Sequence, residues 1–135
     1  MELNEENAGK LLEAYRLVLK HYPEQKTPDV LDALTLCLDN SGLYVIPQQN
    51  VALAYFRYHP GEALSLVTEW DIAELKRRDL SKGPVLHIVF FAAPAHGYRI
   101  FRAVVNGLNP YGVSAHRVNK RGERVFTMKR HVRFR

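Results

Sequence analysis

The chain has 135 residues, 47% hydrophobic and 24% charged, with a formal net charge of +5, which is material for one hydrophobic core in an ordinary globular domain. No apolar run approaches the roughly 20 residues that span a bilayer, residues 1–10 are acidic and polar rather than a signal peptide, and the single cysteine, Cys37, has no partner for an internal disulfide. A membrane-spanning helix and a disulfide framework are excluded, and a cytoplasmic protein with one domain over residues 1–135 is expected.

Asn4 is placed to cap a first helix, with Glu5 and Glu6 in its first turn. Leu11, Leu12, Tyr15, Val18, Leu19 and Tyr22 recur at helical spacing, and Pro23 ends the run. Thr27, Pro28 and Asp29 open a second helix, whose stripe is Val30, Leu31, Leu34, Cys37 and Leu38. Cys37 thus reads as a core residue and not as a nucleophile. Asn40, Ser41 and Gly42 stop the helix.

The period then changes. Leu43–Ile46 reads as a short strand and residues 47–50 as a turn. Residues 51–59 form a longer strand, with Val51, Leu53, Tyr55, Arg57 and His59 on one face and Ala52, Ala54, Phe56 and Tyr58 on the other. Residues 63–68 fit a strand or a helical turn, and residues 71–78 a short helix. Val85–Ala92 is almost wholly apolar, the pattern of a central strand covered on both faces. After a break at residues 93–97, Tyr98–Leu108 is a helix with Ile100, Phe101, Val104, Val105 and Leu108 on its buried stripe. A strand at 113–118, a turn at 119–122 and a last strand from Arg124 complete the chain. The order predicts an α/β (α+β) fold: two N-terminal helices, then a mixed sheet containing a central strand–loop–helix–strand unit.

Charge is unevenly placed. Residues 117–135 hold Arg117, Lys120, Arg121, Arg124, Lys129, Arg130, Arg133 and Arg135 against one acid, Glu123. Such a segment suits an acidic protein surface or nucleic acid, with Phe126 and Phe134 interleaved for the latter. It equally suits an edge strand guarded against aggregation. An apolar sheet edge would also permit a homodimer.

The loop between the central strand and the helix carries the main functional signal. Its residues, Phe91, Ala92, Ala93, Pro94, Ala95, His96, Gly97, Tyr98 and Arg99, lead into a helix N-terminus, where free N–H groups and the dipole favour an anion such as phosphate. Small side chains permit close backbone approach, and Arg99 adds charge. The six histidines, His21, His59, His87, His96, His116 and His131, show no metal-ligand spacing. His87 sits on the central strand, as a candidate general base or as a hydrogen-bonded core histidine. Trp70 and Tyr111 are candidate pocket or core residues, while Arg57 and Arg117 suit structural ion pairs.

The element order resembles the core of the GNAT N-acetyltransferase fold. Residues 79–94, DLSKGPVLHIVFFAAP, resemble the central signature of the RTX toxin-activating lysine acyltransferases, whose pattern is Asp-Trp, a spacer, Ser-Gly, and a strand ending in Ala-Pro. The likeness extends over residues 43–129. It implies a GNAT-like fold and transfer of a fatty acyl group from acyl carrier protein to a lysine. The family's catalytic aspartate falls at Phe90, which has no acid–base chemistry. Its catalytic histidine precedes the first strand, where His21 is the nearest counterpart. The resemblance implies an acyl-CoA or acyl carrier protein donor, with pantetheine along Val85–Ala92, phosphates at residues 93–99, and His87 and His21 as candidate catalytic groups. An acidic carrier protein would then meet residues 117–135. The substitution at Phe90 leaves open a non-catalytic binding protein of the same fold.

Overall fold

The structure, a computed structural model, describes residues 4–25, 27–108, 110–118, 120–121 and 123–130, with the backbone alone described for His96, Val118 and Arg130. Helix α1 (Glu5–His21) starts where the Asn4 side chain accepts from the Asn7 amide, 2.8 Å away. It buries Ala14, Leu17 and Val18, while Leu12 is 65% exposed. Leu12 lies on the other side of the helix from Leu17, so the buried face is rotated from the stripe read in the sequence. Helix α2 (Thr27–Asp39) packs beside it, and buries Val30, Ala33, Leu34, Leu36, Cys37 and Leu38. Asn40 then donates to the Leu36 carbonyl at 2.9 Å and accepts from the Leu80 amide at 2.9 Å, tying the helix end to a distant loop. Gly42 follows because a Cβ there would collide with the Tyr55 carbonyl.

Among the described residues five strands form one sheet in chain order: β1 (Leu43–Ile46), β2 (Val51–Tyr58), β3 (Val85–Ala92), β4 (Gly112–Val118) and β5 (Arg124–Arg130). All neighbours are antiparallel except β3 and β4, which run parallel and are joined by helix α5 (Tyr98–Leu108). The apolar strand β3 is therefore central, and the fold is α/β with a mixed sheet and two N-terminal helices, as the sequence predicts. Residues 131–135, the end of the expected last strand, lie outside the described residues.

The segment after β2 is a helix, α3 (Pro60–Glu69), followed by a single turn, α4 (Ile72–Leu75). Pro60 and Gly61 open α3. Proline is preorganised for a first helical position, and Ala63 and Val67 are buried one turn apart.

Ala52, Ala54, Phe56, Tyr58 and Val85 form the main core with α1, α2, α3 and Leu75. Helix α5 lies on the opposite face, where Phe101 meets Phe91 with ring centroids 5.0 Å apart. There Arg57 donates to the carbonyls of Gly83 at 2.8 Å and Leu108 at 3.0 Å. The sequence reading of Arg57 as an ion-pair residue gives way to one in which its fork satisfies a loop carbonyl and the last carbonyl of α5.

Two irregularities in β3 position everything that follows. Ala54 faces Phe90 but Tyr55 faces Ile88, so Val89 is an extra, bulged residue. On the other side, the β3–β4 pairing runs from Val85 with Gly112 to Ile88 with Ala115 and ends there. The central strand thus parts from its parallel neighbour at the bulge.

Candidate functional site

A cavity of about 350 Å³ opens on the α1–α2 face where β3 and β4 part. Ile88, Val89 and Phe90 form its strand wall. The connection between α1 and α2 closes one side with Tyr22, Glu24 and Gln25, joined by Asp29 and Ala33 of α2. Trp70, His87 and His116 close another, with Arg117 and Arg124 beside them. One side therefore carries two carboxylates, the other two guanidinium groups.

Tyr22 is fixed by its hydroxyl, which donates to the Phe91 carbonyl at 3.0 Å, and by its ring, 5.5 Å from that of Phe90. Burial raises its pKa, and Glu24 adds to the rise against the opposing effect of the Phe91 bond.

His87 is 1% exposed and Ser114 beside it on β4 is also 1% exposed. The Nδ1 atom of His87 lies 2.8 Å from Ser114 Oγ, which lies 2.9 Å from the buried Tyr58 hydroxyl. The three residues come from three adjacent strands and form one polar chain through the core. Burial pushes the His87 pKa down to about 3, with the nearby His116 and Arg124 acting in the same direction, so the ring is neutral near pH 7.

Aromatic rings surround that imidazole. Phe56 is 5.1 Å away, Trp70 5.9 Å, His116 5.2 Å and Phe126 6.1 Å, the last stacked at 10°. His116 Nε2 lies 3.3 Å from the Thr68 carbonyl, and half-burial lowers its pKa. Trp70 ends α3 in the left-handed region, with φ 57°. A residue with a Cβ adopts this at a cost of about 1–2 kcal/mol. Here the backbone turn directs the indole towards His87 and under the Arg124 guanidinium, 5.7 Å from the ring centroid.

Of the residues singled out in the sequence, the cavity gathers His87, His116, Trp70, Phe90, Arg117 and Arg124. His21 is exposed at the end of α1 and does not line it, although its neighbour Tyr22 does. Phe91 turns its ring to Phe101 on the other face, and Ala92 is buried. Ala93 and Pro94 are half-buried, Ala95 and Arg99 are exposed, and Tyr98 is half-exposed at the start of α5. Residues 95–97 form a 3-10 turn, and a Cβ on Gly97 would collide with that of Ala93. Gly97 is thus required by loop packing, whatever else the loop binds. The side chains of His96 and Arg130 lie outside the described structure, as do Arg133 and Arg135 of the basic segment. Arg117 and Arg124 of that segment line the cavity, and β5 is a sheet edge.

Sequence reasoning did not find Tyr22, Glu24, Asp29, Ser114 or Tyr58 as site residues, and it read Arg124 as part of the basic segment rather than of a cavity. The one available signal was alternation: Phe56 and Tyr58 share a face, and a parallel register would put Ser114 beside His87. Among the described residues no three His, Cys, Asp or Glu side chains converge as a metal site, and no helix is long and apolar enough to cross a membrane.

Compared with known proteins, the chain matches no family model, and no curated protein or solved structure is significantly similar to it.

Proposed function

We propose that the protein binds an acyl thioester donor, as acyl-CoA or on acyl carrier protein, with the thioester in the cleft where β3 and β4 part. The observation that carries this reading is the coincidence of the Val89 bulge, the end of the β3–β4 pairing at Ile88 and the adjoining cavity. A strand released from its neighbour offers main-chain groups to an extended ligand, as in strand addition. Pantetheine is such a ligand, with two amides spaced along a flexible chain. A cavity of about 350 Å³ suits a short acyl group. Arg117 and Arg124 at the same opening suit phosphates or an acidic carrier protein.

Phenylalanine at position 90 and the exposed site of His21, away from the cavity, favour a second reading within the same site: a donor-binding protein that does not itself transfer the acyl group. Calorimetric titration with acetyl-CoA, longer acyl-CoA species and an acylated carrier protein tests both. Micromolar binding, about −8 kcal/mol, is the expected result. Binding with no acyl transfer to free amines or lysine peptides supports the second reading. Flat heats with every donor, and no thermal shift, overturn both.

A further inference from the structure

We propose that His87 presents a fixed Nε2–H donor to the cavity, set by the Tyr58–Ser114 relay behind it, and that this donor receives the carbonyl oxygen of the bound ligand. The identity of that carbonyl as a thioester rests on the acyl-donor reading. The donor itself does not.

The direction of the relay follows from counting hydrogens. Tyr58 and Ser114 each have one hydroxyl hydrogen, and both residues are buried. In one direction Tyr58 donates to Ser114, Ser114 donates to His87 Nδ1, and each hydrogen has an acceptor. In the other, Nδ1–H donates to Ser114 and Ser114 to Tyr58. The Tyr58 hydrogen is then left inside the core, because Ser114 is the partner its hydroxyl has. A buried unpaired donor is disfavoured, so the first direction holds. Its consequence is chemical: the Nδ1 lone pair is occupied, and the proton of the neutral ring sits on Nε2.

Nε2 also meets the cavity. Among the described residues His87 forms its hydrogen bond with Ser114, and it uses Nδ1. Among the described residues no side-chain nitrogen or oxygen that is fully buried lacks a partner. Nε2 is therefore not sealed in, and His87 lines the cavity. Around it stand the rings of Trp70, His116 and Phe126, and among the described residues none of them forms a hydrogen bond with His87. The His116 Nε2–H is directed to the Thr68 carbonyl. The fold thus builds a rigid, uncharged donor in an aromatic setting, and among the described residues nothing accepts its hydrogen. Such a group stabilises a polarised oxygen without bringing a charge of its own. It is not a base towards the cavity, which revises the candidate role read for His87 in the sequence.

The test is direct on the wild-type protein. Histidine labelled with ¹⁵N is observed in two-bond ¹H–¹⁵N correlation spectra near neutral pH, with the His87 signals identified by their loss in His87→Gln. A single tautomer with the proton on Nε2 is expected, and a proton on Nδ1 overturns the proposal. Tyr58→Phe removes the hydrogen that sets the direction, so its His87 is expected to populate both tautomers. An unchanged single tautomer in a variant that folds with wild-type dispersion overturns the relay. The ligand arm compares S-acetyl-N-acetylcysteamine with its S-ethyl thioether, which differs at the thioester carbonyl alone. The His87 Nε2–H resonance is expected to move with the thioester and not with the thioether. Movement with both, or with neither up to the solubility limit, overturns the carbonyl assignment. Flat calorimetry with all acyl donors alongside the Nε2–H tautomer sinks the acyl-donor reading and leaves the donor standing.

Discussion

The Tyr22 hydroxyl and the Phe91 carbonyl, 69 positions apart in sequence, meet at 3.0 Å and fasten the end of α1 to the free reach of β3. Beyond Ile88 this strand has no partner on β4, so the phenol takes an acceptor near the point where the sheet divides. Tyr22→Phe keeps the ring contact with Phe90 and removes that bond alone. It should cost about 1 kcal/mol, seen as a lower urea midpoint at an unchanged slope. A midpoint equal to wild type would show that water replaces the phenol without loss.

Phe90 occupies the position that the acyltransferase resemblance assigns to an aspartate. In this fold it is half-buried against Tyr22 and the main core. Phe90→Asp should therefore destabilise by about 2–3 kcal/mol, through lost apolar burial and a poorly solvated carboxylate, and it should not create acyl transfer. Chemical denaturation measures the first effect, and hydroxylamine or lysine-peptide acylation the second. Acyl transfer appearing in this variant would mean that the cavity lacks nothing but the acid.

Acid should weaken the fold through His87. Its native pKa is pushed down to about 3 by burial, while an unfolded imidazole protonates near 6.5. Between those values the unfolded chain binds a proton that the native protein does not, so stability rises with pH across the window. The contribution is complete above about pH 6.5 and falls as pH drops, by about 1.4 kcal/mol per pH unit. His116, also lowered by burial, acts in the same direction. Urea midpoints at about pH 7.5, 6 and 5 would follow this, remaining above the carboxylate range. His87→Gln should flatten the slope, and an equal slope in that variant would assign the acid sensitivity elsewhere.

Cys37 is fully buried in α2, and burial raises its thiol pKa far above the ordinary range. It should not react with a disulfide reagent in the native state on the timescale of a free thiol. Labelling should instead require opening of the α1–α2 core, and its rate should rise with urea in parallel with unfolding. Immediate labelling in buffer would contradict the packing described.

The sequence carried β3 and α5 to their observed bounds because each has a clear local pattern: an almost wholly apolar run, and a helical stripe ended by a proline. It left residues 63–68 open because Leu64 and Leu66 alternate while Ala63 and Val67 keep helical spacing. Tertiary burial of the latter pair decided for the helix. His87 stood out as the polar residue in an apolar strand. Its partners did not, because Ser114 and Tyr58 reach it only through cross-strand register, which no single strand records. Glu24, Asp29 and Tyr22 were hidden for the same reason: the α1–α2 connection and the first turn of α2 that hold them are brought to β3 by helix packing, not by local sequence.

The cavity takes its walls from the α1–α2 connection and the start of α2, from Trp70, from residues 87–90 of β3, and from His116, Arg117 and Arg124, stretches that are separate in the unfolded chain. No local fragment can reproduce it, so an occupant has almost nothing to bind until both halves of the molecule have met on the central strand. Occupancy and folding are therefore linked. A compound at 100 times its dissociation constant should add about 2.7 kcal/mol to unfolding, a shift of several degrees for a chain of this size. The melting temperature becomes a reporter that is blind to ligand chemistry, and a metabolite screen read by melting can find the natural occupant without assuming what it is.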